Sequence, residues 1–337
     1  MKFSSRLILA TTFVAAAMFA SQCLAESVIA KIPESQPEGM DINPLSGLVY
    51  VANFFTPTVS VISERTNTVV DTIFFPPEET GDQAELEGLA VNPATSRLYV
   101  TNPRAGILYT VDLRTKKIIQ QLSLGQANDV SLNFRNDKIY VTQFFSGNVL
   151  IIDGHTNTLT KTIPVPWAQK VSVDLTTGRA YVPDQNFFGS VFVLDGTTDE
   201  VLAQISTGSF TTSVGIDFLR HLAYASNDGF TAATSSISVI DTNTNTVVDT
   251  IPTDPGPTPL TVNPFTNRIY VATTFQGQDV VDVIDGDSRQ VVSKLPIDPQ
   301  PQFMAIDLLR ERLYVSSPNF VVNIPGGNVV TAIDTRR

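Results

Sequence analysis

Gly88-Leu-Ala-Val-Asn-Pro-Ala-Thr-Ser-Arg-Leu-Tyr-Val-Thr-Asn102 is the stretch whose reading decides the fold. Apolar residues alternate up to Asn92, whose short side chain suits a tight turn, and a second apolar run then carries Tyr99. Alternation, an Asx turn and renewed alternation predict a β-hairpin. The phrase recurs along the chain around Tyr50, Tyr99, Tyr140, Tyr181, Tyr224, Tyr270 and Tyr314, at spacings of 49, 41, 41, 43, 46 and 44 residues. A repeat of this period, rich in β-branched residues, predicts the blades of a propeller.

Aligning the repeats on their tyrosines exposes the rest of each blade. Seven residues earlier stands Asn43, Asn92, Asn133, Asp174, Asp217, Asn263 or Asp307, always an Asx residue. A third strand follows the tyrosine, as at residues 58–62, 149–152, 190–194 and 237–240, and six of the seven end in Asp112, Asp153, Asp195, Asp241, Asp285 or Asp334. These aspartates recur at a hairpin, so they are read as turn residues and not as general acids. A fourth strand comes next, as at residues 69–73, 118–122 and 247–251, but the last repeat ends before reaching one. Residues 27–33 read like residues 247–252 and are expected to supply it. The expected fold is therefore all-β: a seven-bladed β-propeller of four-stranded antiparallel blades, closed by residues 27–33 joining the last blade. Closure of this kind removes an open sheet edge.

Residues 1–25 are set aside as a secretory signal peptide, with Lys2 and Arg6 before an apolar run and Cys23-Leu-Ala25 as a small-residue cleavage site. The alternatives are a retained anchor helix, or a lipoprotein with Cys23 as its first residue. Cleavage after Ala25 leaves residues 26–337 as one domain with no membrane span and no cysteine, so neither a disulfide nor a thiolate nucleophile is available. It also moves the formal charge from −11 to −13, by removing Lys2 and Arg6. So acidic a chain is not expected to bind nucleic acid, which calls for a basic patch.

The repeated phrase, with Leu98-Tyr-Val-Thr-Asn102 and Val59-Ser-Val-Ile62, resembles the YVTN-repeat β-propeller family over almost all of residues 27–335. That resemblance implies a periplasmic, secreted or cell-surface protein, and one relative type, YncE-like, implies single-stranded DNA binding. It does not imply one chemistry, because related propellers bind, scaffold or catalyse.

In a propeller with this strand order, the loops joining second to third strands share one face with those joining fourth to first. Phe54, Phe55, Phe144, Phe145, Phe187, Phe188, Phe230, Phe275 and Phe320 all fall in second-to-third loops. Aromatic residues massed on loops mark a candidate binding face, or else they plug the gaps between blades. Strand alternation turns the first of each pair inward and leaves Phe55, Phe145 and Phe188 as the expected exposed set. Trp167, on a fourth-to-first loop, either stacks on a ligand or packs at a blade interface. Twelve residues before each tyrosine stands Glu38, Glu87, Asn128, Gln169, Thr212, Thr258 or Gln302, a polar ring expected at the channel mouth on the same face. This ring either bonds a polar ligand or cation, or is a hydrated rim. Glu78, Glu79, Asp82, Glu85 and Glu87 crowd the loop between the first two blades, either as calcium ligands or as a solvated acidic loop.

His155 and His221 are the only histidines, and both fall in turns of the opposite face. A multi-histidine metal site and a channel histidine base are thereby excluded. No cofactor is expected. The leading expectation is a non-enzymatic binding or scaffolding propeller that holds a protein, peptide or glycan on its phenylalanine-rich face. The alternatives are a sugar-lactonase-like hydrolase, with Glu38 or Glu87 as acid/base and Arg104 holding an anionic substrate, and a single-stranded nucleic-acid binder.

Overall fold

In every repeat the tyrosine strand forms the second member of a four-stranded antiparallel sheet, and the sheets form a seven-bladed β-propeller. The computed structural model describes residues 26–76, 85–229, 231–320 and 327–336. The expected leader at 1–25, Glu78, Glu79, Asp82 and Phe230 therefore lie outside the described residues.

The first blade shows the pattern. It consists of strands Pro37–Asn43, Leu48–Asn53, Thr58–Ser63 and Thr68–Phe74, paired in sequence order. Its first hairpin turns on Asn43, whose side-chain oxygen accepts the Leu45 N–H at 3.1 Å. Third-to-fourth turns use the recurring aspartates in the same way. Asp241 accepts the backbone N–H of Asn243 at 2.8 Å and of Thr244 at 3.0 Å. These bonds to the ionised form hold the carboxyl of Asp241 below its ordinary pKa. The recurrent Asp is a turn residue.

The last blade is built from both ends of the chain. Ser27–Pro33 pairs antiparallel with Val329–Asp334, running from Ser27 opposite Asp334 to Pro33 opposite Val329. Its other strands are Phe303–Asp307 and Arg312–Ser317. Residues 27–33 are thus the outer strand that the last repeat lacks.

The core lies between blades. Seven apolar clusters fill the interfaces, and each tyrosine enters the cluster shared with the following blade. Tyr140 of the third blade packs with Val171, Ala180 and Val182 of the fourth. Tyr314 of the last packs with Met40, Ile42 and Val49 of the first and so seals the ring. A large flat ring suits this gap, because it buries much apolar area at small conformational cost. On the face away from the phenylalanine loops, arginines add a second set of links. Arg97 donates to Gly154 O at 2.8 Å, Arg135 to Thr176 O at 2.7 Å, Arg220 to Pro264 O at 2.8 Å and Arg310 to Pro44 O at 2.6 Å. Each bond crosses from one blade to its neighbour.

Candidate functional site

Adjacent blades meet backbone to backbone near the start of their first strands, at Gly39 and Gly88. Gly39 N–H donates to Glu87 O at 2.9 Å, and Gly88 N–H donates to Asn128 O at 3.1 Å. A Cβ on Gly39 would stand 2.0 Å from Glu87 O, and one on Gly88 would stand 2.5 Å from Asn128 O. Glycine is required at both places by close approach of backbone, not by its dihedral freedom. The tight contact gathers the acidic residues of blades one to three on one side of the channel mouth.

A cavity of about 250 Å³ opens there, lined by Glu38, Glu87, Asp129, Gln169, Lys170, Gln302, Phe54 and Phe303. On the far side of Asp129, Lys170 and Phe303 lies a second cavity of about 390 Å³, which those three residues also line. They form a partition across the channel. Lys170 reaches over it to donate to Gln302 O at 2.8 Å, with its ammonium 3.7 Å from the centre of the Phe303 ring. Asp129 accepts the Val171 N–H at 3.3 Å, and Asp41, below it, accepts the Val91 N–H at 2.8 Å. Each of these carboxylates therefore ties its own blade to the next.

The electrostatics follow from removing several acids from water in one place. Burial, reinforced by the charge of Glu87 and opposed by Lys170, pushes Glu38 up to about 8. Burial likewise raises Glu87 to about 7, although the Asn128 amide donates to it at 3.2 Å. Asp41 and Asp129 are raised to about 6, again chiefly by burial. Burial lowers Lys170, against the pull of Asp129, Glu38 and Glu87. Around neutrality the mouth therefore holds carboxyl groups poised between their two forms.

The expected polar ring is only partly a rim. Glu38, Glu87, Gln169 and Gln302 line the mouth cavity. Asn128 braces Glu87 and accepts the Phe144 N–H at 3.0 Å. Thr212 is buried on Ser226, 3.0 Å between hydroxyls, and the Thr258 N–H donates to Ala272 O at 3.0 Å. Asp129, Lys170 and Phe303 escaped the sequence reading because they stand one residue further on. A signal exists at that position: it holds Gly39, Gly88, Asp129, Lys170, Ser213, Pro259 and Phe303, a mixture of types immediately before the uniformly apolar position that carries Met40 and Leu89.

The phenylalanine loops surround this mouth in separate groups. Phe54, which lines the cavity, stacks edge-on against Phe55 at 4.9 Å and Phe320 at 5.5 Å between ring centres. Phe144 packs on Phe145 and on Trp167, at 5.1 and 5.3 Å. Phe187 contacts Phe188 and Phe210, at 5.5 and 5.7 Å. Phe145 and Phe188 are 76% and 82% exposed, whereas Phe55 is half-buried in its three-ring cluster. Phe187 departs from the expected inward turn and is 66% exposed, because Phe210 supports it from the side. Phe210 was not anticipated, since it belongs to a fourth-to-first loop. Phe275 is half-buried under the Lys294 ammonium, 4.6 Å from its ring centre. Trp167 remains exposed.

Two other candidates stand apart from the cavity. Arg104 pairs with Glu85 at 3.3 Å and is not among the cavity-lining residues. Among the described residues no three Asp, Glu, His or Cys side chains are grouped so as to hold a metal ion. The far face carries its own apolar feature, for Leu45, Phe134, Leu175, Leu219, Phe265 and Leu309 are all exposed at first-to-second turns.

Comparison with known proteins reports on the fold. No protein-family model matches the chain, and no curated protein sequence matches it. Among solved structures, Kuenenia stuttgartiensis hydrazine synthase is similar over 90% of this chain and 96% of that one, with a TM-score of 0.74 and 15% identity. At that identity the likeness speaks for the propeller architecture alone.

Proposed function

We propose that this chain is a non-enzymatic binding or scaffolding propeller, related to YVTN-repeat and YncE-like proteins and working in a periplasm or outside the cell. Its aromatic face holds a protein, peptide or glycan partner. The observation that carries this reading is the arc of solvent-facing rings, Phe145, Phe187, Phe188, Trp167 and Phe320, around a concave polar mouth. Exposed aromatic side chains beside a pocket are the usual anchors of recognition, since they bury large area with little loss of freedom. Nucleic acid is not the proposed partner, because the chain carries a formal charge of −11 and the mouth offers a single lysine rather than a basic patch.

The test is selection from a displayed random-peptide library and a glycan array on immobilised protein. A Phe145→Ser, Phe187→Ser, Phe188→Ser variant should keep its melting temperature and lose the selected binders. Equal capture by the variant overturns the reading.

A second reading, hydrolysis of a lactone, is favoured by one arrangement: Glu38 and Glu87 line the same cavity, where burial pushes both carboxyls up toward the range an acid/base pair uses. With Arg104 tied to Glu85, an anionic substrate would rely on Lys170. Turnover of simple lactones by the native chain, abolished by Glu38→Gln, would replace the first reading with this one.

A further inference from the structure

We propose that the mouth cavity is a subsite for a primary ammonium group, presented by a lysine side chain of a protein or peptide partner. The inference rests on the binding role of the aromatic face and names what enters its centre.

Three observations converge on it. Glu38 is only 6% exposed and lines the cavity, yet no hydrogen bond or ion pair from a described residue reaches its carboxylate. Its main-chain oxygen, by contrast, accepts the Ser316 hydroxyl at 2.8 Å. Second, Lys170 is the one cation lining the cavity beside three acids, and its ammonium donates to Gln302 O and lies on the Phe303 ring, with no hydrogen bond to Glu38. The wall facing the ligand thus carries Glu38, Glu87 and Asp129 against one lysine that is already engaged. Third, these carboxyls are not grouped as metal ligands, and about 250 Å³ is far larger than a bare ion needs. A buried carboxylate that opens on the cavity and accepts no hydrogen bond from a described side chain suits a cation with directed donors, and an ammonium supplies three. Phe54 joins this wall to the Phe55 and Phe320 rings, so an aliphatic stem can lie on aromatic carbon while its head enters.

The charged groups facing Glu38 are Glu87 from the second blade, Asp129 from the third and Lys170 from the fourth, with Asp41 further along its own strand. Ammonium binding needs the ionised carboxylate, so it strengthens as pH rises through the range in which Glu38 and Glu87 lose their protons.

The experiment is calorimetric titration of the full chain with Ac-Phe-Lys-Phe-NH2, with the norleucine counterpart, and with butylammonium chloride as competitor. The lysine peptide should bind about tenfold or more tightly than the norleucine peptide at pH 9. That preference should shrink at least tenfold at pH 6, and Glu38→Gln and Glu87→Gln should each remove it. Competition by free butylammonium shows that the head group alone is recognised; displacement by none but the lysine peptide shows that the subsite needs a peptide stem, as proposed. Equal binding of the two peptides, an undiminished preference in both glutamine variants, or no binding of either peptide or of butylammonium overturns the subsite. The Phe145→Ser, Phe187→Ser, Phe188→Ser variant separates the two readings. A lysine preference that survives with unchanged affinity sinks the aromatic face alone, whereas equal loss of both peptides with no lysine preference sinks the subsite alone.

Discussion

The Glu87 carbonyl accepts the Gly39 N–H at 2.9 Å, so one backbone bond joins the first two blades at Glu87 itself and at the residue next to Glu38. The two residues at the heart of the mouth are held by the same contact that packs the ring. Stability and site geometry are therefore linked at this point.

Gly39→Ala should break that link. The new methyl would meet Glu87 O at 2.0 Å, and backbone must shift to admit it. We expect a lower melting temperature, with a cost of about 1–3 kcal/mol as for other overpacked sites. The ionisation of Glu38, followed by carboxyl resonances, should move toward its ordinary range as the blades part.

Removal of residues 26–33 should sharply lower the melting temperature, because Val329–Asp334 then becomes an unpaired edge and Ile32 leaves its cluster. A synthetic peptide of the same sequence, added in trans, should restore part of the loss. An unchanged melt would show that the ring does not depend on this strand.

Two tyrosine-to-phenylalanine changes should differ in cost. The Tyr224 hydroxyl is buried with no hydrogen-bond partner among the described residues, so Tyr224→Phe should change stability by less than about 0.5 kcal/mol or improve it. The Tyr314 hydroxyl donates to the Asn67 side chain at 3.3 Å across the closing interface, and Tyr314→Phe should cost about 1 kcal/mol. Chemical denaturation of both variants checks the order. Tyr140→Ala, which empties a ring-sized volume, should cost about 3–5 kcal/mol.

Stability should fall as pH rises from about 5 to about 8. Glu38, raised to about 8, and Glu87, raised to about 7, bind protons in the folded chain that the unfolded chain has already released. Their contribution is complete below the ordinary carboxyl range and is lost as pH climbs through the folded values. Asp285 and Asp334 act in the other direction: held down to about 2, they stabilise above the unfolded carboxyl pKa, and that support fades as pH drops toward 2. A melting temperature higher at pH 5 than at pH 8.5 is expected, with the difference reduced in Glu38→Gln. A flat profile would show that the mouth carboxyls ionise without strain.

The blades could be read from the chain because each is a local object. Tyr99, Asn92 and Asp112 sit within one run of residues, and strand pairing with Asx turns depends on neighbours in sequence. Even the closing strand betrayed itself by its likeness to residues 247–252. The centre is another matter. Glu38, Asp129 and Lys170 come from three blades, and only the ring brings them to one cavity. Alternation foretold the exposure of Phe145 and Phe188, but not that of Phe187, because Phe210 from a neighbouring loop decides that ring's direction.

The pairing of Ser27 with Asp334 has one further result. Both ends of the described chain leave the disc beside each other, at the third-strand end, which is the face turned away from Phe145 and Phe188. Any tether fused before residue 26 or after residue 336 would therefore hold the molecule from behind, with the carboxyl-lined opening presented outward and unobstructed.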